Sequence, residues 1–397
     1  MKPENKQIIE RGLISKKVQQ LAPSGIRRFF NLLASIDGVI SLGIGEPDFA
    51  TPWHIRETAI NSLEKGYTMY TSNSGMPELR QELSHYLNRK YHLEYDPNGE
   101  LLITVGVSEA LDLVMRAILE DGDEVLVPDP SYVSYSACVA LAGGTPVMVP
   151  TRIETNFELN PSDVEARITD KTRAILMGYP ANPTGAVMPV EKLSQIAALA
   201  QKHGLLIISD EIYSRLTYGI EHTCFASLPG MRDRTVLLSG LSKSHAMTGW
   251  RIGFAAAQKE IIAAMNKIHQ YTIMCAPTMA QIAAIEALKN GEEAVEEMVE
   301  DYNRRRLVMI KGLSEIDLPC FEPRGAFYAF PSVTRTGMNA EEFAEKLLTE
   351  EKVAVVPGTA FGKAGEGYVR CCYATSLPNI EEALRRMERF IKRNRKG

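Results

Sequence analysis

Thr235-Val236-Leu237-Leu238-Ser239-Gly240-Leu241-Ser242-Lys243-Ser244-His245-Ala246-Met247-Thr248-Gly249-Trp250-Arg251 joins an apolar strand to a glycine-bearing turn, a lysine just past it and an arginine eight positions further on. The run 235–238 is almost wholly apolar, which predicts a strand buried on both faces. A lysine fixed at the end of such a strand loses its proton more readily than one in water, because desolvation penalises the ammonium form. Arg251 is a permanent planar cation able to grip an oxyanion through two parallel hydrogen bonds. Most lysines are solvated surface groups, so spacing alone assigns Lys243 no chemical task.

The same strand-then-turn unit recurs on the N-terminal side. Leu101–Val105, Glu124–Val127, Pro146–Val149, Ala174–Met177 and Leu205–Ile208 read as short apolar strands. Helical spacing separates them over Ser108–Leu119, near 132–142 and over Val190–Lys202. Near-continuous apolar strands alternating with helices predict an α/β fold with a largely parallel sheet covered on both faces. After about residue 295 the texture changes. A charged helix, Glu292 to Ser314, precedes strands at 326–330, 353–356 and 368–374 and helices near 339–350 and 378–393. A chain of 397 residues exceeds one ordinary core. The expected division is a large domain over 46–295 and a smaller α+β domain over 296–397. The segment 1–45, too short to fold alone, packs with the smaller one.

Composition narrows the function classes. Hydrophobic residues are 45% and charged residues 23%, the balance of a soluble globular chain. A net charge of −5 opposes nucleic acid as partner, since neutralising phosphates needs a basic face. No apolar run approaches membrane-spanning length. The start, Met1-Lys2-Pro3-Glu4-Asn5-Lys6, lacks the apolar segment of a signal peptide, so a cytoplasmic location is expected. Cysteines at 138, 224, 275, 320, 371 and 372 form no Cys-x-x-Cys pair, and neither a disulfide framework nor a metal site is expected.

Ligands of such sheets bind at the carboxyl ends of the strands. After Leu101–Val105 comes Gly106-Val107-Ser108, where glycine permits close backbone approach and Ser108 stands at the expected helix N-cap. Free N–H groups at such a start suit a phosphate. After Ala174–Met177 comes Asn182-Pro183-Thr184-Gly185, turn chemistry that offers an amide donor at Asn182. After Leu205–Ile208, Asp210 emerges from an apolar strand and needs a cationic partner, with Tyr213 three positions on. Arg370 stands amid apolar strand residues and suits either a structural ion pair or a substrate carboxylate. A lysine near a phosphate anchor is what pyridoxal phosphate requires, since its aldehyde condenses with an amine while its phosphate is held. The cation sought by Asp210 is then the protonated ring nitrogen.

Together these stretches resemble the class I and II aminotransferases of pyridoxal-phosphate fold type I. The resemblance rests on Ser41 to Phe49, Tyr70 to Arg80, Pro128 to Tyr132, Asn182 to Gly185, Ser209 to Tyr213, the Lys243 segment and Arg370. It runs from about Ser24 to the carboxyl end and is nearest to the aspartate, aromatic, alanine and N-acetyl-diaminopimelate branch. It implies a mostly parallel seven-stranded sheet covered by helices. It implies that Lys243 forms the internal aldimine, that Asp210 pairs with the pyridinium nitrogen, and that Asn182 and Tyr213 bond the ring oxygen. Tyr132 would stack on the ring. Gly106, Val107, Ser108, Ser242 and Arg251 would hold the phosphate, with Tyr70 reaching across from a second subunit of a homodimer. Arg370 would fork the substrate α-carboxylate, beside Gly45. The chain departs from some relatives at Gly240, where they carry a serine that binds the phosphate. The implied reaction passes an amino group from an L-amino acid to a 2-oxo acid, 2-oxoglutarate above all. Because no second arginine is evident, neutral donors are expected alongside dicarboxylates. A C–S β-lyase would use the same cofactor residues, and a pyridoxal-phosphate-binding regulator is the alternative outside catalysis, opposed by the acidic charge.

Overall fold

The structure, a computed structural model, describes residues 13–19, 21 and 37–394. Most of the segment 1–45, including Ser24, lies outside the described residues. The strands are β1 (Ile40–Ser41), β2 (Leu101–Thr104), β3 (Glu124–Asp129), β4 (Thr145–Pro150), β5 (Thr172–Gly178) and β6 (Leu206–Asp210). They continue as β7 (Thr235–Gly240), β8 (Gly253–Ala256), β9 (Tyr328–Ala329), β10 (Val353–Ala354), β11 (Val356–Pro357) and β12 (Val369–Cys372). Seven of them form one sheet in the order β2-β8-β7-β6-β5-β3-β4. All its pairings are parallel except those of β8, which is antiparallel to both neighbours. Every residue of β7 is buried, as its apolar centre Val236-Leu237-Leu238 leads one to expect.

β8 is the strand that local pattern does not predict. Gly253-Phe254-Ala255-Ala256 carries no β-branched residue, and its strand character comes from its neighbours on either side rather than from propensity. Its first glycine is a packing requirement. A Cβ at Gly253 would lie 2.6 Å from the Val107 nitrogen and 2.7 Å from the Gly106 carbonyl carbon, so β8 touches backbone to backbone the turn that opens the next helix. That helix runs over Gly106–Ile118 and packs against the helix Lys259–Thr272.

Two small sheets stand apart from the large one: β1 pairs in parallel with β10, and β11, β12 and β9 form an antiparallel set. The helices Glu292–Glu315 and Leu377–Asn394 pack on each other beside them. One continuous apolar cluster joins the two regions, running from Leu126 and Ile207 under the large sheet to Phe343 and Phe390. At about 25 cal/mol per Å2 of apolar surface removed from water, a shared core of this kind resists separation of the two parts. Cys371 and Cys372, adjacent on β12, are both buried, and none of the six cysteines is paired. Among the described residues no helix is long and apolar enough to cross a membrane.

The departure at Gly240 has a steric cause. Gly240 faces Gly253 across the antiparallel β7–β8 pair, and a Cβ there would stand 2.9 Å from the Ile252 carbonyl oxygen and 3.0 Å from the Gly253 Cα. Both obstacles are backbone, which cannot rotate away. Gly240→Ser is therefore expected to destabilise the fold by about 1–3 kcal/mol, as overpacking does. Urea unfolding checks this, and unchanged stability would show that β8 yields.

Candidate active site

Lys243 follows β7 by three residues and stands in a loop fastened from the far side of the chain. Thr51 Oγ1 donates to the Ala246 carbonyl at 2.6 Å, and Trp250 Nε1 donates to Thr51 Oγ1 at 2.9 Å. Ala246 and Arg251 have left-handed backbones, with φ of 52° and 54°. Such conformations cost a non-glycine residue about 1–3 kcal/mol and persist where surrounding contacts impose them. Within this frame Lys243 Nζ donates to the Gly45 carbonyl at 2.7 Å. Burial lowers its pKa from 10.5 to about 8, with Cys372 and Glu46 opposing and the Arg370 and Arg251 cations reinforcing.

Asp210 ends β6 and is buried. Its carboxylate accepts from Tyr135 Oη at 2.8 Å and from the Ile212 N–H at 3.2 Å. Burial raises its pKa to about 6 against the opposing pull of those two donors. Neutral partners satisfy its oxygens without neutralising its charge, which leaves the group suited to a cationic ligand atom.

Arg370, on β12, reaches from the C-terminal region to the edge of the large sheet. Its Nη1 donates to Asn182 Oδ1 at 2.8 Å and its Nη2 to the Gly43 carbonyl at 2.6 Å. Its Nε is buried without a protein partner. An unsatisfied buried donor costs about 1–3 kcal/mol, so this guanidinium retains a demand for an acceptor. Asn182, having spent its oxygen on Arg370, keeps its amide nitrogen to donate. The loop carrying Gly43 and Gly45 is pinned by Arg305, whose Nη1 donates to both Asp48 oxygens at 2.8 Å and to the Thr375 carbonyl at 2.8 Å.

At the opposite end lies the helix start expected to hold a phosphate. The helix begins at Gly106, so Ser108 falls inside its first turn and is not the N-cap. Val105 occupies that position, and its N–H is satisfied by Glu109 Oε2 at 2.5 Å, a longer-range cap that releases Ser108. Gly106 has φ of +71°, and a Cβ there would lie 2.5 Å from Arg251 Nη2. Only glycine allows the guanidinium to stand beside these N–H groups. Arg251 Nη1 donates to the Thr248 carbonyl at 2.8 Å, which fixes the fork. First-turn N–H groups, the positive helix end and an adjacent arginine form a cradle that suits a phosphate.

These ends enclose one cavity of about 320 Å3. Gly45, Asn182 and Arg370 line one side, and Val107, Ser108, Ser242 and Arg251 another. Tyr132, Asp210, Tyr213 and Lys243 face the space between. Tyr70 is not among the lining residues; its side chain is exposed at 81%. Sequence reading missed Tyr135, the donor to Asp210, and Tyr328, whose hydroxyl stands 2.7 Å from that of Tyr213. Tyr135 had a weak signal, since it follows Tyr132 by three residues at the end of β3. Tyr328 had none. The buried Asp210, the unpartnered Arg370 Nε and the cradle at Gly106 together fit pyridoxal phosphate bearing an amino-acid substrate.

Comparison with known proteins identifies the family. The profile of the family described as aminotransferase class I and II matches residues 37–387. The aspartate aminotransferase of Pyrococcus abyssi is 47% identical over 382 residues, covering 96% of this chain and 98% of that one. The aromatic-amino-acid aminotransferase 2 of Thermococcus litoralis is 45% identical over 382 residues, again covering 96% and 98%. Among solved structures, the aspartate aminotransferase of Thermus thermophilus with maleate superposes with a TM-score of 0.91 at 40% identity, covering 95% of this chain and 99% of that one. With family profile, relatives and fold in agreement, the chain belongs to the class I and II aminotransferases, fold type I enzymes that depend on pyridoxal phosphate.

Proposed function

We propose that this chain transfers the amino group of an L-α-amino acid to a 2-oxo acid, with 2-oxoglutarate the principal acceptor, at the cavity between Lys243 and Arg370. The observation that carries this reading is the convergence of a lysine with pKa lowered to about 8, a buried aspartate and an unsatisfied arginine on one space. Pyridoxal phosphate, when bound, supplies the carbon that takes up the amino group and a ring that accepts the electron pair left at Cα.

The protein's part follows from its own groups. Lys243, as a neutral amine, would be the base that takes the proton from Cα and returns it during the transfer. Asp210 holds a proton on the ring nitrogen through opposite charge. Asn182 Nδ2 and the Tyr213 hydroxyl would donate to the ring oxygen, and Tyr132 would cover the ring, all three lining the cavity. Gly106, Val107, Ser108, Ser242 and Arg251 hold the phosphate. Arg370 forks the α-carboxylate beside Gly45, which orients the Cα–H bond toward Lys243. Arg251 and Arg370 are the arginines lining the cavity among the described residues. With both engaged, a neutral donor, aromatic or alanine-like, is accepted alongside dicarboxylates. The names of the relatives favour transamination over the β-lyase alternative.

The domain division is read in the same way, with 46–295 holding the cofactor and 296–397 forming the smaller domain. Parallel pairing of Ile40–Ser41 with Val353–Ala354 supports packing of the end of the segment 1–45 on the latter, whereas the helix Lys16–Gln19 meets the large domain, against the helix Ser134–Leu141 and with Lys17 Nζ 3.3 Å from Asp121 Oδ1. Unpaired cysteines accord with a cytoplasmic location.

The enzyme is further proposed to act as a homodimer in which Tyr70 of the partner subunit completes the phosphate cradle. Exposed apolar residues support this: Trp53, Met69 and Tyr70, together with Tyr271, which is exposed at 85%. Thr278 Oγ1 donates to the Met69 carbonyl and Asn73 Nδ2 to the Met274 carbonyl, each at 2.7 Å, which binds the segments carrying these residues into one surface. Exposed large apolar side chains gathered on joined segments are what an interface between subunits would cover.

Incubation with a panel of L-amino acids should convert the cofactor's visible absorbance to that of its aminated form, without pyruvate release, and 2-oxoglutarate should restore it. Lys243→Ala should lose at least about a thousandfold in turnover. Pyruvate and ammonia as products would favour the lyase, and an active Lys243→Ala would remove Lys243 from the mechanism. In the cofactor-free protein, acylation of Lys243 followed by peptide mass spectrometry should rise through about pH 8, well below the range of surface lysines. A midpoint near 10.5 would mean that the lysine is solvated. Sedimentation at assay concentration should give a dimer, and Tyr271→Glu should yield monomers of low activity. A fully active monomer would refute the shared site.

A further inference from the structure

Tyr328 lines the cavity and belongs to none of the roles assigned above. It starts β9, and its direction is set by the residue two positions earlier. Ala326 has φ of 55°, a left-handed conformation in a non-glycine residue. That conformation is imposed from outside. The Ala326 N–H donates to the Leu216 carbonyl at 2.9 Å, and its carbonyl accepts from the hydroxyls of Tyr218 and Tyr373. Strain held in this way at a cavity wall is a reason to ask what the following side chains do.

Three contacts answer. The Tyr328 hydroxyl is 2.7 Å from the Tyr213 hydroxyl. The Arg370 guanidinium carbon lies 4.5 Å from the Tyr328 ring centroid and 4.7 Å from that of Phe361, within cation–π range of both. Gly45, whose carbonyl accepts from Lys243, has no room for a side chain because the Tyr328 hydroxyl stands where its Cβ would project. One side chain therefore touches the residue proposed to bond the cofactor oxygen, the residue proposed to read the substrate and the turn that receives the lysine.

The hydrogen bond between the two phenols has a direction that matters. Each hydroxyl has one proton to give. If Tyr213 donated to Tyr328, it would have none left for the ring oxygen of the cofactor. If Tyr328 donates, the Tyr213 proton is free, and a donor that itself accepts a hydrogen bond is strengthened. Burial raises the pKa of both phenols, so both keep their protons through the neutral range.

We propose that Tyr328 is a positioning residue that serves two sites at once: its hydroxyl donates to Tyr213, directing the Tyr213 proton to the phenolic oxygen of pyridoxal phosphate, and its ring face holds the Arg370 guanidinium in place for the substrate carboxylate. This rests on the reading of Tyr213 and Arg370 given under the proposed function.

Two variants of the holoenzyme separate the hydroxyl from the ring. Tyr328→Phe keeps the ring. The pH titration of the bound cofactor's visible absorbance, recorded without substrate, should move upward by about half a unit to one unit. The phenolic oxygen, less well stabilised, holds the neighbouring proton more tightly. The KM for amino donors should stay within about twofold, while kcat falls about threefold to tenfold. Tyr328→Leu lacks both features, so it should show the same absorbance shift and in addition a KM raised at least about fivefold. In a Tyr213→Phe background, Tyr328→Phe should produce no further shift, because the bond it removes is already absent. An unmoved titration in both Tyr328 variants, or a full second shift in the Tyr213→Phe background, would overturn the hydroxyl's role. A KM no higher in Tyr328→Leu than in Tyr328→Phe would overturn the ring's role. Failure of the wild type to transaminate any donor would refute the proposed function instead, and the substrate-free titration would still read the Tyr328–Tyr213 bond.

Discussion

Charged groups are removed from water at one cavity without being neutralised by one another, and the rest of the site is arranged around that constraint. Lys243 is satisfied by a carbonyl, Asp210 by a phenol and a backbone N–H, and Arg370 by an amide oxygen and a carbonyl. Two unit charges 4 Å apart interact by about 4 kcal/mol at an effective dielectric constant of 20. Direct ion pairs would consume that energy within the protein. Dipolar partners leave it available to a ligand whose ring nitrogen, phosphate and carboxylate match the unspent charges. Preorganised dipoles of this kind also need not reorient as charge moves during reaction.

Holding such groups in place requires a stiff frame, and the frame is built from close backbone approaches. Gly240 and Gly253 bring β7, β8 and the cradle helix into contact distances that no side chain would permit, and Gly106 leaves room for the Arg251 guanidinium. The lysine loop keeps two non-glycine residues in left-handed conformations because Thr51 and Trp250 tie it down. On the other wall, Arg305 fixes the Gly43–Asp48 loop to the helix Glu292–Glu315, where its Nη2 also meets Asp301 at 2.7 Å. The wall bearing Arg370 is thus carried by the C-terminal region and the wall bearing Lys243 and Asp210 by the large sheet. The apolar cluster common to both sets their separation.

The parts legible in the sequence were those with a local signature. Largely apolar runs over 174–177 and 235–238 read as buried strands and are buried strands. Lys243, Asp210 and Asn182 could be singled out because each follows such a run and is chemically costly there unless it has a task. β8 escaped because glycine and alanine carry little strand preference, and its pairing with β2 and β7 is what makes it extended. Ser108 was expected at the N-cap, which lies three residues earlier at Val105, a residue with no side-chain oxygen to mark it and whose N–H is satisfied by Glu109. Tyr328 left no trace, since a tyrosine in an apolar strand reads as core.

What the sequence determined by itself is the α/β alternation, the strand ends where chemistry gathers, and the family whose motifs sit at those ends. Periodicity and residue chemistry are local properties, and they survive without knowledge of partners. What only the tertiary structure decided is which donors and acceptors are already spent. The free Nε of Arg370, the amide nitrogen left on Asn182 and the phenol pair of Tyr213 and Tyr328 depend on segments far apart in the chain meeting within hydrogen-bond distance. Hydrogen bonding is short-ranged and directional, so occupancy of a polar atom is a property of the folded neighbourhood and cannot be read from its own residue.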